Sequence, residues 1–317
     1  MNIFEFLGLP ADHRKPNKVV MTVKNYEEVS EKKKTFPMIV QLKKDGVYCL
    51  VVVHDGKRAM FNRTGKQMQN TGVIQVSNCS DGVYIAELCN DSCSLEVLSG
   101  IVNPNRTKAL SEEQLDLTNS MYVAYFDYVT VGEFLCGEST FDYVTRHETL
   151  TVRKGELECD EVILPYTFAN NEEVLKGTAQ LLCSQDEEGI VAKQLDCGWV
   201  AGHKGYRQMK IVKNVENGFG IDVDLMCIGF EEGQGKYEGK VANLLFKYKD
   251  GSTVTAMLGK GWTHAHAERL FIDIHTGEFT PVGKVYRVVG LQGSSKNDLI
   301  RLPKVREYRH DKTEGDY

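Results

Sequence analysis

No apolar run in this chain approaches the ~20 residues that a membrane-spanning helix requires, so no transmembrane segment is expected. The amino terminus, Met-Asn-Ile-Phe-Glu-Phe-Leu-Gly, has neither the charged start nor the apolar core of a secretory leader. Internal repeats and low-complexity segments are also missing. The nine cysteines are odd in number and scattered through apolar, strand-like segments. That usage points to reduced core thiols in an intracellular protein rather than to a disulfide framework. Cys89 and Cys93 lack a matching second pair, so a zinc site is not expected. Positive charge is not in excess either. A net charge of −6 argues against a surface that binds nucleic acid throughout. The acid excess falls in the first two-thirds of the chain, however, and Arg301 to Arg309 is basic, which leaves room for local phosphate binding.

What is present begins with length: 317 residues favour two domains over one. The chain is organised around Gln41 to Leu50. Met38-Ile39-Val40-Gln41-Leu42 reads as a buried strand, Asp45-Gly46 as a turn that exploits the positive φ open to glycine, and Val47 to Val53 as a second strand. Lys43 then sits at a strand end above an apolar floor, where burial favours the neutral amine that a nucleophilic lysine needs. A plain charged hairpin is the competing reading, because Asp-Gly recurs at Asp55, Asp81 and Asp250.

Taken in order, residues 1–36 carry mixed charge, one weak helical stretch from Asn25 to Lys34, and no evident chemistry. Arg63 follows a strand, and its planar fork suits either solvent or a ribose or phosphate. Val73 to Val76 and Val83 to Leu88 read as short strands; Glu87 among apolar neighbours needs an internal partner or a ligand. Ser111 opens a capped helix, Met121 to Val129 is an aromatic-rich strand, and a second capped helix opens at Asn170 with Val174, Leu175, Leu181 and Leu182 as its buried stripe. Glu188-Gly189-Ile190-Val191-Ala192-Lys193 is an apolar strand flanked by charges, either a surface ion pair or a site for metal and phosphate. Met209 to Lys213 is a last basic strand. Asn214 to Gly220 is a polar, glycine-rich joint. Beyond it, strands at Val223 to Phe230, Val241 to Tyr248, Thr253 to Leu258 and Lys284 to Leu291, with a helix from His264 to Ile274, fit a small closed barrel of the OB type. His264 and His266 read as helix surface rather than a metal site. The end, Pro303 to Lys312, reads as a basic tail or as a functional Arg-x-Asp-Lys segment.

Together these stretches resemble the covalent nucleotidyltransferase superfamily, and most of all the small viral or phage ATP-dependent DNA ligases. The resemblance spans nearly the whole chain and rests on an ordered series: Lys43-x-Asp45-Gly46, Asn62-Arg63-Thr64-Gly65, Glu87, Phe126-Asp127, Glu188-Gly189-Ile190-Val191-x-Lys193, Met209-Lys210 and Arg309-x-Asp311-Lys312. It implies an α+β chain: a nucleotidyltransferase (adenylation) domain of antiparallel sheets with helices over residues 1–215, then an all-β OB-fold barrel over 216–317. It also implies ATP, carried as covalent AMP on Lys43, Mg2+ held by Glu188 and Asp45, and a monomer that seals nicked double-stranded DNA. By the match, Arg63 and Glu87 hold the ribose, Phe126 stacks on adenine with Ile190 and Val191 on its other face, and Gln41 reads the adenine edge. Lys193 and Lys210 neutralise the α-phosphate; Arg309, Asp311 and Lys312 orient the leaving pyrophosphate.

Two departures stand out. Ligases commonly carry arginine where this chain has Tyr48, and lysine where it has Gln208; Arg207 or Lys204 could compensate. Lys44 adjoins Lys43, but strand alternation turns it to the opposite side. The alternatives are an RNA ligase, an mRNA-capping guanylyltransferase, or a non-enzymatic OB-fold nucleic-acid-binding protein.

Overall fold

The computed structural model describes residues 1–76, 79–213, 220–259, 261–291 and 300–317, which divide into two units, Met1–Val212 and Lys213–Tyr317. The strands of the first unit are β1 (Thr22–Asn25), β2 (Met38–Lys43), β3 (Val47–His54), β4 (Lys57–Asn62), β5 (Gly82–Cys89) and β6 (Tyr122–Val129). They continue with β7 (Glu138–Ser139), β8 (Glu161–Ile163), β9 (Tyr166–Ala169), β10 (Gly189–Gln194), β11 (Trp199–Val200) and β12 (Lys204–Val212). Its helices are α1 (Ile3–Phe6), α2 (Leu95–Ile101), α3 (Glu112–Thr118), α4 (Val131–Cys136), α5 (Tyr143–Lys154) and α6 (Glu172–Ser184). Two five-stranded sheets result, one ordered β1-β12-β10-β2-β9 and the other β4-β3-β5-β6-β8.

The second of these sheets is covered on both faces. Cys49, Val51, Leu88 and Tyr125 pack with Leu98 and Ile101 of α2 and Leu150 of α5. The intervening Leu50, Val52 and Ile85 pack with α1, Phe134 of α4 and Trp199. Burial on both faces is why Val47 to Val53 reads as an unbroken apolar run instead of alternating. In the first sheet one face lies under α6, where Met38, Val40, Ile190, Ala192 and Met209 meet Leu175 and Ala179. Its other face carries Gln41, Lys43, Val191 and Lys193, so alternation along β2 and β10 separates core from chemistry.

The turn after Lys43 does not make a hairpin. β2 belongs to one sheet and β3 to the other, so Asp45-Gly46 carries the chain across from the first to the second. Nor does Gly46 take a positive φ. Glycine is required there by close approach: a Cβ would lie 2.6 Å from the Leu88 carbonyl oxygen and 2.7 Å from Cγ of Glu87. Positive φ is taken instead at Asp55 and Gly56, in the turn between β3 and β4, and at Gly251.

Other expectations are revised as well. Asn25 to Lys34 forms two single 3-10 turns, Tyr26–Glu28 and Glu31–Lys33, and Val73 to Val76 is not a strand. The cap of α6 is Asn171, whose side chain accepts from the Val174 backbone N–H. Leu175, Ala179 and Cys183 face inward with Leu182 partly buried beside them, while Val174 and Leu181 are exposed. Helices α2, α4 and α5 had no counterpart in the sequence reading.

In the second unit, β13 (Gly220–Glu232), β14 (Val241–Lys247), β15 (Thr253–Leu258), β16 (Val285–Leu291) and β17 (Arg301–Tyr308) form a closed barrel in the order β13-β14-β15-β17-β16. The supposed basic tail begins as β17, which closes the barrel by pairing parallel to β15 and antiparallel to β16. Helix α7 (His264–Thr276) leaves His264 and His266 exposed. Residues 214–219 of the expected joint lie outside the described residues. Among the described residues no helix is long and apolar enough to cross a membrane.

Candidate active site

A cleft of about 970 Å³ lies between the two sheets of the first unit. Among the described residues its lining is predominantly basic, with Lys18, Lys24, Lys43, Lys44, Arg63, Lys193, Lys204 and Lys210 against Glu28 and Glu87. A concave surface of one charge sign concentrates the opposite one, so the cleft suits a polyanion despite the negative net charge of the chain.

Lys43 ends β2 opposite Gly189 of β10. Its Nζ lies 2.5 Å from Glu188 Oε2, and the two side chains are 21% and 28% exposed. The lysine expected on an apolar floor is thus one half of an ion pair. Lys44 lies beyond the end of the strand and lines the same cleft, so alternation does not turn it away. The partnership with Glu188 is what distinguishes Lys43. Glu87 approaches the pair from β5, and its carboxyl is pushed up to about 8: burial dominates, Lys43 opposes it, and the nearby Glu188 and Asp45 carboxylates add to it. Asp45 is exposed on the crossing turn and does not line the cleft. Lys210, from β12, is lowered by burial and then by Lys43, which places it beside the nucleophile candidate. Arg63 is exposed and lines the cleft with Thr64.

The elevated Glu87 has a consequence for pH. Its folded pKa lies above the ordinary 4.5, so the stability tied to its neutral form is complete at low pH and is lost as pH rises towards about 8. Glu87→Gln removes that ionisation. The thermal midpoint of the variant relative to the parent is expected to climb between pH 4.5 and 8 and then level off. Parallel midpoint curves across that range would refute it.

The other end of the cleft is built from rings and a buried amide. Gln41 is 2% exposed; its Nε2 donates to the Leu164 carbonyl at 2.9 Å and its Oε1 accepts from Lys193 Nζ at 2.8 Å. Lys193 lies over the Tyr143 ring at 3.6 Å and the Phe126 ring at 5.3 Å. Its ammonium is lowered to about 7, chiefly by burial, with Asp127 opposing and Arg146 assisting. The resemblance sets Lys193 beside the α-phosphate; the structure rests its head on the Gln41 amide and the rings. Lys193 is four residues along β10 from Gly189, roughly 13 Å at strand spacing. Ile190 is corrected: it is fully buried against α6, and Val191 alone of that pair reaches the cleft.

Phe126 lines the cleft and meets Tyr48 edge-on at 5.8 Å. Tyr48, where the resemblance implied an arginine, thus supports the ring and supplies no charge. Behind Phe126, Arg146 of α5 grips Asp127 with two hydrogen bonds of 2.8 and 2.9 Å. Tyr143 donates to the Phe126 carbonyl at 2.6 Å, and His147, lowered by burial, bonds to the same Leu164 carbonyl that Gln41 uses. Gln208 and Lys204 line the cleft, whereas Arg207 donates to the Gly198 carbonyl and does not. Of the two proposed compensating cations, Lys204 is the one in place.

The α5 residues escaped the sequence reading because their segment has no clear apolar stripe. Strand β1, which carries Lys24, and the 3-10 turn Pro16–Lys18 before it, which carries Lys18, also line the cleft and were missed. The barrel holds Arg309, Asp311 and Lys312 just past β17, with Arg309 bonded to Asp311 at 2.9 and 2.7 Å.

No family model matches the chain. It is 31% identical over 155 residues to a DNA ligase of Thermococcus onnurineus, covering 49% of this chain and 21% of that one. A probable DNA ligase of Kineococcus radiotolerans is 32% identical, over 40% of this chain and 27% of the relative. The chain spans 17% to 28% of the lengths of the curated relatives it matches. Among solved structures, a Lig E DNA ligase superposes with a TM-score of 0.64 at 13% identity, over 92% of this chain and 98% of that one. The ATP-dependent DNA ligase from bacteriophage T7 in complex with ATP gives 0.52 at 13% identity, over 92% and 99%. In sequence the chain is similar to DNA ligases, and in fold it shares the architecture of these solved DNA ligases, here a unit with two five-stranded sheets followed by a closed five-stranded barrel.

Proposed function

We propose that this chain is an ATP-dependent DNA ligase, a monomer that seals 5′-phosphate/3′-hydroxyl nicks in duplex DNA inside the cell. The observation that carries the reading is the cleft itself: a lysine paired with a glutamate at one end, a ring and a buried amide at the other, and basic walls between. That arrangement matches adenosine triphosphate laid with its base against Phe126 and its phosphates towards Lys43 and Lys210.

Lys43 Nζ, as free amine, attacks the α-phosphorus; an N–P bond forms, the bond to the β-phosphate oxygen breaks, and pyrophosphate leaves. The adenylate then passes to the 5′-phosphate of the nick, and the 3′-hydroxyl displaces AMP. Phosphoryl chemistry of this kind needs positive charge around the non-bridging oxygens, which Lys210 and Lys204 supply from β12. Arg63 and Glu87 are placed for the ribose. Glu87, largely protonated at neutral pH, has a proton to donate as well as oxygens to accept with. Lys193 serves the base end by fixing the Gln41 amide. The carboxylates Glu188, paired with Lys43, and Asp45, close enough to act on Glu87, are hard oxygen donors of the type that Mg2+ takes, one or two at a time. When bound, the metal would supply charge neutralisation for the phosphates.

An mRNA-capping guanylyltransferase or an RNA ligase would use the same lysine. The discriminating experiment incubates the chain with α-labelled ATP, GTP or NAD and magnesium, followed by denaturing electrophoresis and by sealing assays on nicked DNA and nicked RNA. Label from ATP with sealing of DNA is the expected result. Label from GTP alone would move the chain to capping. Absence of label, after a pyrophosphate strip and mass spectrometry to exclude a pre-adenylated chain, would leave a binding protein.

A further inference from the structure

The barrel contains a charge cluster that the adenylation cleft does not account for. Asp224 lies on β13 and is 6% exposed. A single oxygen of its carboxylate, Oδ2, lies 2.6 Å from Arg309 Nη1 and 2.5 Å from Lys312 Nζ. The chain after β17 is fastened to the same residue by its backbone. Asp224 N donates to Asp316 Oδ2 at 2.8 Å, and Asp316 N donates to the Asp224 carbonyl at 2.7 Å. Gly315 lies so close to this strand that a Cβ would come 2.9 Å from Met226 N. The segment carrying Arg309 and Lys312 is thereby laid back on β13.

Two cations that share one oxygen are held no more than about 5 Å apart, close enough to reach neighbouring phosphoryl groups. Left to themselves they would repel, and two flexible side chains would separate into solvent. The carboxylates around them differ in exposure. Asp311 and Asp316 are 66% and 43% exposed, so their bonds to Arg309 and Lys312 are surface pairs that an anion can replace. The Asp224 side chain is 8% exposed and its backbone is bonded through both N–H and carbonyl, so it stays.

We infer that Asp224 is a positioning residue for adenylation: it holds Arg309 and Lys312 together as a two-cation hook for pyrophosphate. The inference rests on the ligase reading above and assigns a role to a residue outside its motifs. Asp224→Asn keeps the shape and removes the charge.

The test compares the parent, Asp224→Asn, Lys312→Ala and the double variant in two reactions: self-adenylation with ATP, and sealing of a nick that already carries a 5′-adenylate. Half-saturation by pyrophosphate in the reverse reaction is measured alongside. Asp224→Asn is expected to slow self-adenylation by about tenfold or more and to raise the pyrophosphate half-saturation, with sealing of the adenylated nick changed by less than about twofold. In the double variant it should add little to Lys312→Ala, because both act through one unit. Unchanged or faster adenylation, equal loss in both reactions, or fully additive effects would overturn the inference. Should Asp224→Asn fail to fold, Asp224→Glu carries the test on the same terms, its carboxylate displaced by one methylene. A parent chain that neither takes label from ATP nor seals the adenylated nick would instead sink the ligase reading, which keeps the two failures apart.

Discussion

Lys43→Ala is expected to leave no covalent nucleotide on the chain, while Lys44→Ala keeps it. Both lysines line the cleft, but only the Lys43 ammonium is paired with Glu188. The substitution should cost little stability, because the partner left behind is 28% exposed and can be hydrated; about 0–1 kcal/mol is the scale for such pairs. Denaturing electrophoresis after incubation with labelled ATP reads the first effect and a thermal melt the second. The same variant should still seal a nick that carries a preformed 5′-adenylate, since the nucleophile is spent before that step. Label retained on Lys43→Ala would move the nucleophile elsewhere. Label lost together with a collapsed melt would mean that the pair with Glu188 is structural.

Arg146→Met should produce the largest loss of stability among single changes near the cleft. Asp127 is 1% exposed and Arg146 3%, and the guanidinium supplies two hydrogen bonds to that carboxylate. Removing one partner of a buried pair leaves an uncompensated charge, which typically costs about 3–5 kcal/mol. In a unit of this size that lowers the thermal midpoint by roughly 10 °C. Because the penalty belongs to the orphaned carboxylate, Arg146→Met combined with Asp127→Asn should be more stable than Arg146→Met alone. Denaturant melts of the single and double variants decide the matter: a single variant within about 1 kcal/mol of the parent, or a double that is worse, would contradict it. Nucleotide binding should weaken as well, since Asp127 adjoins Phe126 and both charges act on Lys193.

Much of the site was legible before any geometry. Lys43, Glu87, Lys210, Arg63 and Phe126 stand in segments whose strand character is plain, and the structure gathers them around one cleft. Lys193 and Ile190 depart from the resemblance for a common reason. A motif read as a string gives order along the chain, but the pleat sends neighbours to opposite faces, and each two-residue step moves a side chain nearly 7 Å along the strand. Ile190 falls on the α6 face, and Lys193 at the far end of the row that begins at Lys43. The Asp45-Gly46 turn was identified correctly as glycine-dependent but for the wrong cause, since the obstacle is Glu87 and Leu88 on β5, distant in sequence.

The sequence by itself determined the long strands that frame the site (β2, β3, β5, β6, β10 and β12), four of the five barrel strands with the OB character of the second unit, and the residue types that chemistry on a phosphate would need. These follow from local rules: apolar alternation, turn residues, and charges embedded in apolar runs. The tertiary structure decided which sheet each strand joins, that β17 closes the barrel, that Glu188 pairs with Lys43, and that α5 braces Phe126 through Arg146 and Tyr143. Each of these is a contact between residues far apart in the chain. Its energy depends on which charges are buried together, and no local pattern of residues encodes that.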